Sequence, residues 1–95
     1  MRIEWTAQAA AELDHILTYI AEQDFTAAAL VAGRVLKAEQ SITDFPRAGR
    51  YDVETNTFDR YIPRTRIILT YTLRDDAAWI VSVWHTSRDP RARRR

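Results

Sequence analysis

The chain has 95 residues, 46% hydrophobic and 28% charged, with two glycines, no cysteine and a net charge of +1. That length suits one domain, 1–95, burying about two-thirds of its unfolded surface, and the composition excludes a disordered or fibrous chain, a disulfide framework, a thiolate metal site and a cysteine nucleophile. The charge is unevenly spread: residues 1–44 carry three basic and seven acidic side chains (−4), and residues 45–95 carry eleven basic and six acidic (+5).

A cysteine-free chain suits the reducing cytoplasm. Met1-Arg2-Ile3-Glu4-Trp5 lacks the apolar run of a signal peptide, and no stretch approaches the roughly 18 apolar residues that cross a bilayer. No membrane partner is expected. In Arg2–Trp5, Ile3 and Trp5 alternate with charged residues, which predicts an opening strand. The Thr6 hydroxyl can cap the helix that follows, in which Leu13, Ile16, Leu17 and Ile20 draw one apolar stripe. Gln23-Asp24 breaks that helix, and Asp24 or Thr26 can cap a second whose stripe runs Val31, Val35, Ala38, Ile42 and Phe45 until Pro46 stops it. So short a connection predicts an antiparallel helical hairpin over a sheet.

Residues 46–57 have no sustained period and read as a loop. Three strands follow, Phe58–Ile62, Thr65–Leu73 and Ala78–His85, giving an α+β domain: N-terminal strand, α-helical hairpin, three-stranded antiparallel meander. The basic tail 91–95 is expected to fray. A two-residue turn at Asp75-Asp76 pairs Arg74 with Ala77 and, carried along the ladder, sets Arg66 opposite His85. On that open face lie Ile68, Thr70 and Thr72 with Val83, Val81 and Trp79. The reverse face, Ile67, Leu69, Tyr71 and Leu73 with Trp84, Ser82, Ile80 and Ala78, is expected to meet the helices.

The chemistry-bearing candidates gather at one end of the sheet. Phosphodiester cleavage by a 2′-hydroxyl needs a base, a cation for the phosphate charge and an acid for the leaving oxygen. His85 supplies a group that titrates near neutrality, and Arg66 and Arg88 supply phosphate-matching cations, with Arg60 and Arg64 nearby. Each also has an ordinary reading: a partly exposed strand-end histidine, and arginines paired with Asp59, Asp89 or a helix C-terminus. His15 reads as a helix-surface residue. Trp5, Trp79 and Trp84 read first as core or sheet-covering residues, with Trp79 on the open face also a candidate for partner contact. No Gly-rich phosphate loop, metal-ligand spacing or nucleophile elbow is present, so no cofactor and no metal are expected. Thirteen of the fourteen basic residues are arginine, which suits a nucleic acid or an acidic protein segment as partner of the second half.

Several segments together resemble the RelE/ParE toxin superfamily. They are Trp5-Thr6-Ala7-Gln8-Ala9-Ala10 leading to Leu13 and Ile16–Ile20, the loop Phe45-Pro46-Arg47-Ala48-Gly49-Arg50, Arg66–Tyr71, and Val81–Pro90 with its His85-Thr86-Ser87-Arg88 ending. The resemblance covers almost the whole chain. It implies a toxin neutralised by a cognate antitoxin whose C-terminal segment folds along the hairpin and sheet edges, in a toxin–antitoxin hetero-oligomer. The helix-rich first half, the Phe-Pro-x-x-Gly-Arg loop and the His-Thr-Ser-Arg-Asp-Pro ending are closer to ParE, which implies DNA gyrase as target and no nuclease site. The RelE-like alternative implies ribosome-dependent mRNA cleavage with Arg66, His85 and Arg88 as catalytic residues. The cluster of lysines and the C-terminal tyrosine that such nucleases carry are missing here.

Overall fold

The computed structural model describes residues 1–86; Arg88 and the 91–95 tail of the sequence reading lie outside them. Its elements are β1 (Arg2–Trp5), α1 (Ala7–Gln23), α2 (Phe25–Asp44), β2 (Arg50–Asp52), β3 (Thr57–Tyr61), β4 (Ile67–Arg74) and β5 (Ala77–His85). The five strands form one sheet in the order β1-β5-β4-β3-β2, with β1 parallel to β5 and the other pairs antiparallel. The α+β architecture agrees with the sequence reading.

Local chemistry sets the helix ends. Thr6 caps α1 by accepting from the Ala9 N–H at 3.1 Å, and Asp24 closes α1 and caps α2 through the Ala27 N–H. With one residue between them, the helices fold back on each other. Ala9 and Ile16 of α1 and Val35, Ala38 and Ile42 of α2 join Ile67, Leu69, Tyr71, Ala78, Ile80 and Val83 in a single buried cluster. Trp5 ties the sheet to the hairpin: its ring packs on that cluster and its indole N–H donates to Glu39.

Three expectations need correction. Part of the supposed loop 46–57 is β2, an edge strand paired Arg50↔Asp59, Tyr51↔Phe58 and Asp52↔Thr57; three residues are too few to show a period. Phe45 is not on the buried stripe. It follows the last helical turn with φ −136 and ψ 70, and its ring is 65% exposed.

The third concerns register. The turn itself is the two-residue one, with Asp75 at φ 54 and Asp76 at φ 61, the doubly positive signature of a type I′ hairpin. Pairing then runs Arg74↔Ala77, Leu73↔Ala78, Thr72↔Trp79 and Tyr71↔Ile80, after which Thr70 faces Ser82. Val81 is the extra residue of a β-bulge, and beyond it the β5 faces exchange. Ile67 pairs with His85, and Arg66 accepts from the Thr86 N–H at 2.8 Å. Arg66 is therefore not opposite His85. Val83 and His85, not Ser82 and Trp84, share the helix-facing side with Leu69 and Ile67.

A side chain from α1 holds the bulge in place. Beyond Ile80, β1 has ended and α1 begun, so that edge of β5 lacks a strand partner. The Glu12 carboxylate takes the strand's place, accepting from the Val83 N–H at 2.8 Å, with the Ser82 hydroxyl at 3.4 Å.

Candidate functional site

The sequence placed its candidates at the end of the sheet carrying Arg66 and His85. The structure keeps both there and rearranges them. Arg66 is exposed just before β4, while His85 is half-buried and turned by the bulge toward the hairpin. Both line a cleft of about 340 Å³ with Tyr19, Ile20 and Gln23 of α1, Ala27 and Val31 of α2, and Asp24, Thr65 and Ile67. Most of that lining is hydrocarbon. Asp24 is also the cap of α2, its Oδ1 accepting from the Ala27 N–H. Among the described residues no group of three or more His, Asp or Glu could hold a metal ion, and no helix is long and apolar enough to cross a membrane.

The Phe-Pro-x-x-Gly-Arg segment is organised around Tyr71. The Tyr71 ring is fully buried, and its hydroxyl donates to the Pro46 carbonyl at 2.7 Å. Arg60 reaches the same cluster, donating to Ser41 Oγ and the Phe45 carbonyl, both at 2.8 Å, and to the Tyr71 hydroxyl at 3.3 Å. Its guanidinium thus closes the C-terminus of α2, where a cation suits the helix dipole. Glycine is required at 49: a Cβ there would stand 2.7 Å from the Asp59 carbonyl and 3.1 Å from the Tyr71 hydroxyl. The loop's distinctive residues build the chain's turn into β2, and Arg47 and Arg50 are left exposed on it.

On the outer sheet face the Trp84 indole donates to Thr70 at 3.0 Å, and Thr70 donates to Asp59 at 2.7 Å. Trp79 lies under the Arg74 guanidinium, 5.1 Å from the ring centre. These contacts give two of the tryptophans the sheet-covering role weighed in the sequence.

The sequence reading missed the outer face of α2. Phe25, Leu30 and Leu36 are 78%, 56% and 66% exposed, around Ala29 and Gly33, and a Cβ added at Gly33 would meet nothing within 4 Å. The available signal was that Phe25, Leu30 and Leu36 fall off the Val31-Val35-Ala38-Ile42 stripe while remaining large and apolar.

Residues 3–90 match the family model for the ParE toxin of the type II toxin-antitoxin system, parDE. The chain is 32% identical over 84 residues to a protein of Sinorhizobium fredii (strain NBRC 101917 / NGR234) named "Putative toxin Y4kP", covering 88% of this chain and 86% of that protein. In fold it is similar to a chain of the "Chromosomal ParDE TA system from P. aeruginosa", with a TM-score of 0.79 at 17% identity over 90% of this chain and 95% of that one.

Proposed function

This chain belongs to the ParE toxins of type II toxin-antitoxin systems, and from that premise we propose that it arrests growth by inhibiting DNA gyrase and is held inactive by a cognate antitoxin. The observation that carries the gyrase target over RNA cleavage is the bulge at Val81. It turns His85 toward the hairpin while Arg66 faces Thr86, so the two groups do not stand side by side on the open sheet face where a strand of RNA has room to lie. An antitoxin is supported by the uncovered apolar face of α2, since Phe25, Leu30 and Leu36 offer a helical or extended segment a hydrocarbon surface that water otherwise covers.

A second reading, ribosome-dependent mRNA cleavage, is favoured by one fact: Arg66 and His85 still line a common cleft. Arg88 is the third residue of that proposal. Growth curves after induced expression separate the two readings. Under the gyrase reading, Arg66→Ala and His85→Ala arrest growth as the parent chain does. Loss of arrest by either variant, with the protein folded by circular dichroism, assigns the activity to the cleft and to RNA.

A further inference from the structure

A second cleft, of about 470 Å³, separates α2 from the β3–β4 connection. Its walls carry Arg34, Lys37, Arg60 and Arg64, its remaining lining is Ala38, Ser41, Tyr61, Ile62 and Pro63, and no carboxylate lines it. Among the described residues none of the four cations has a carboxylate at ion-pair distance. Arg60 is half-buried: its Nε has no hydrogen-bond partner, its other nitrogens donate to neutral oxygens, and its guanidinium carbon stands 5.9 Å from the centre of the Tyr71 ring. The end of α2 offsets roughly half a unit of its charge and the Tyr71 ring face adds to that, but among the described residues no carboxylate neutralises it. A half-buried cation without a carboxylate partner raises the local potential and favours an incoming anion.

Arg64 adds a separate observation. It sits at φ 64, a left-handed conformation that glycine adopts without strain and arginine does not. Its carbonyl accepts from Arg34 at 3.4 Å, so the turn holds both arginines at the rim. Strain retained at a surface turn is commonly found where a ligand is clamped.

We propose that this cleft seats an acidic, partly apolar peptide segment of the antitoxin, with carboxylate side chains bridging Arg34, Lys37 and Arg64 and an apolar side chain resting on Ala38 and Pro63. The proposal rests on the antitoxin reading above and gives it a location. Leu30, Arg34, Lys37 and Ser41 recur on one side of α2 at helical spacing, so the exposed Leu30 extends the cleft with hydrocarbon. Alternating apolar and cationic contacts fit an amphipathic peptide. A nucleic-acid backbone instead calls for a track of cations with aromatic platforms, and the lining has one aromatic residue, Tyr61, whose hydroxyl is engaged by the Thr65 carbonyl.

The test is calorimetric titration of the refolded full-length chain with its cognate antitoxin at two ionic strengths. Arg34→Glu/Lys37→Glu is expected to weaken binding by roughly 30-fold or more and to flatten its salt dependence. Arg47→Glu/Arg50→Glu, with the same change in net charge at exposed positions outside the cleft, leaves binding within about threefold. Arg64→Gly separates binding from folding: its thermal midpoint stays level or rises as strain is relieved, while its affinity falls. If parent and cleft variants bind equally tightly, the cleft is not the seat and the antitoxin reading stands. If the parent binds no antitoxin, the reading beneath the proposal fails with it. Cleft variants that keep the antitoxin but lose affinity for a 20-base single-stranded RNA overturn the peptide assignment in favour of nucleic acid.

Discussion

Replacing Glu12 tests the bulge, and through it the placement of His85. The Glu12 carboxylate accepts from the Val83 N–H at 2.8 Å, and Val83 is 5% exposed, so Glu12→Ala strands a buried amide that water cannot easily reach. A charge-assisted bond of this kind is worth about 1.5–3 kcal/mol. Alanine's better helix propensity returns only a few tenths. At roughly 4–5 °C per kcal/mol for a domain of this size, the midpoint should fall by roughly 6–15 °C. Glu12→Gln retains an amide oxygen for Val83 and should lose less than about 1 kcal/mol. Urea unfolding gives the free energies, and amide exchange should show the Val83 N–H losing protection in Glu12→Ala alone. An alanine variant that matches the parent chain, or a glutamine variant as damaged as alanine, would show that the Glu12–Val83 bond does not support the bulge.

Gly33→Ala should stabilise the chain by about 0.5–1 kcal/mol, because the helix gains propensity and the added methyl meets nothing; urea midpoints measure the gain, and a loss would mean that the outer face of α2 is covered. Asp76→Gly, at φ 61 in the type I′ turn, should raise stability by about 0.5–1 kcal/mol, read in the same way. Gly49→Ala should cost about 1–3 kcal/mol, since its Cβ would meet the Asp59 backbone oxygen at 2.7 Å. Tyr71→Phe removes the donor to Pro46 and an acceptor of Arg60 and should cost a comparable amount. A Tyr71→Phe chain as stable as the parent would remove the hydroxyl from the account of the Phe45–Arg50 loop.

What was legible in the sequence was local chemistry. Thr6 and Asp24 announce the helix starts because their side-chain oxygens find free N–H groups within three residues. The Asp75-Asp76 turn was legible because a two-residue hairpin between β-rich runs has few solutions. The β4 alternation from Ile67 to Leu73 correctly chose the face that meets the helices. The bulge was hidden because Trp79-Ile80-Val81-Ser82-Val83-Trp84 is apolar on both faces, so slipping by one residue leaves no scar in the pattern. The residue that bonds to it, Glu12, lies about seventy residues away in sequence and has no local signature. Arg60 was read as part of a basic sheet end, yet strand pleating places it with Phe58 on the helix side, where the α2 terminus claims it. The cleft of Arg34, Lys37, Arg60 and Arg64 joins two charge-opposed halves of the chain, so a tally by halves concealed it.

Gyrase as the target is tested by a DNA gyrase assay with the refolded chain, following supercoiling and the appearance of linear DNA. Supercoiling is expected to be lost and linearised DNA to be trapped, both reversed by adding the cognate antitoxin and both unchanged in Arg66→Ala and His85→Ala. Full gyrase activity in the presence of a chain that still arrests growth would contradict gyrase as the target.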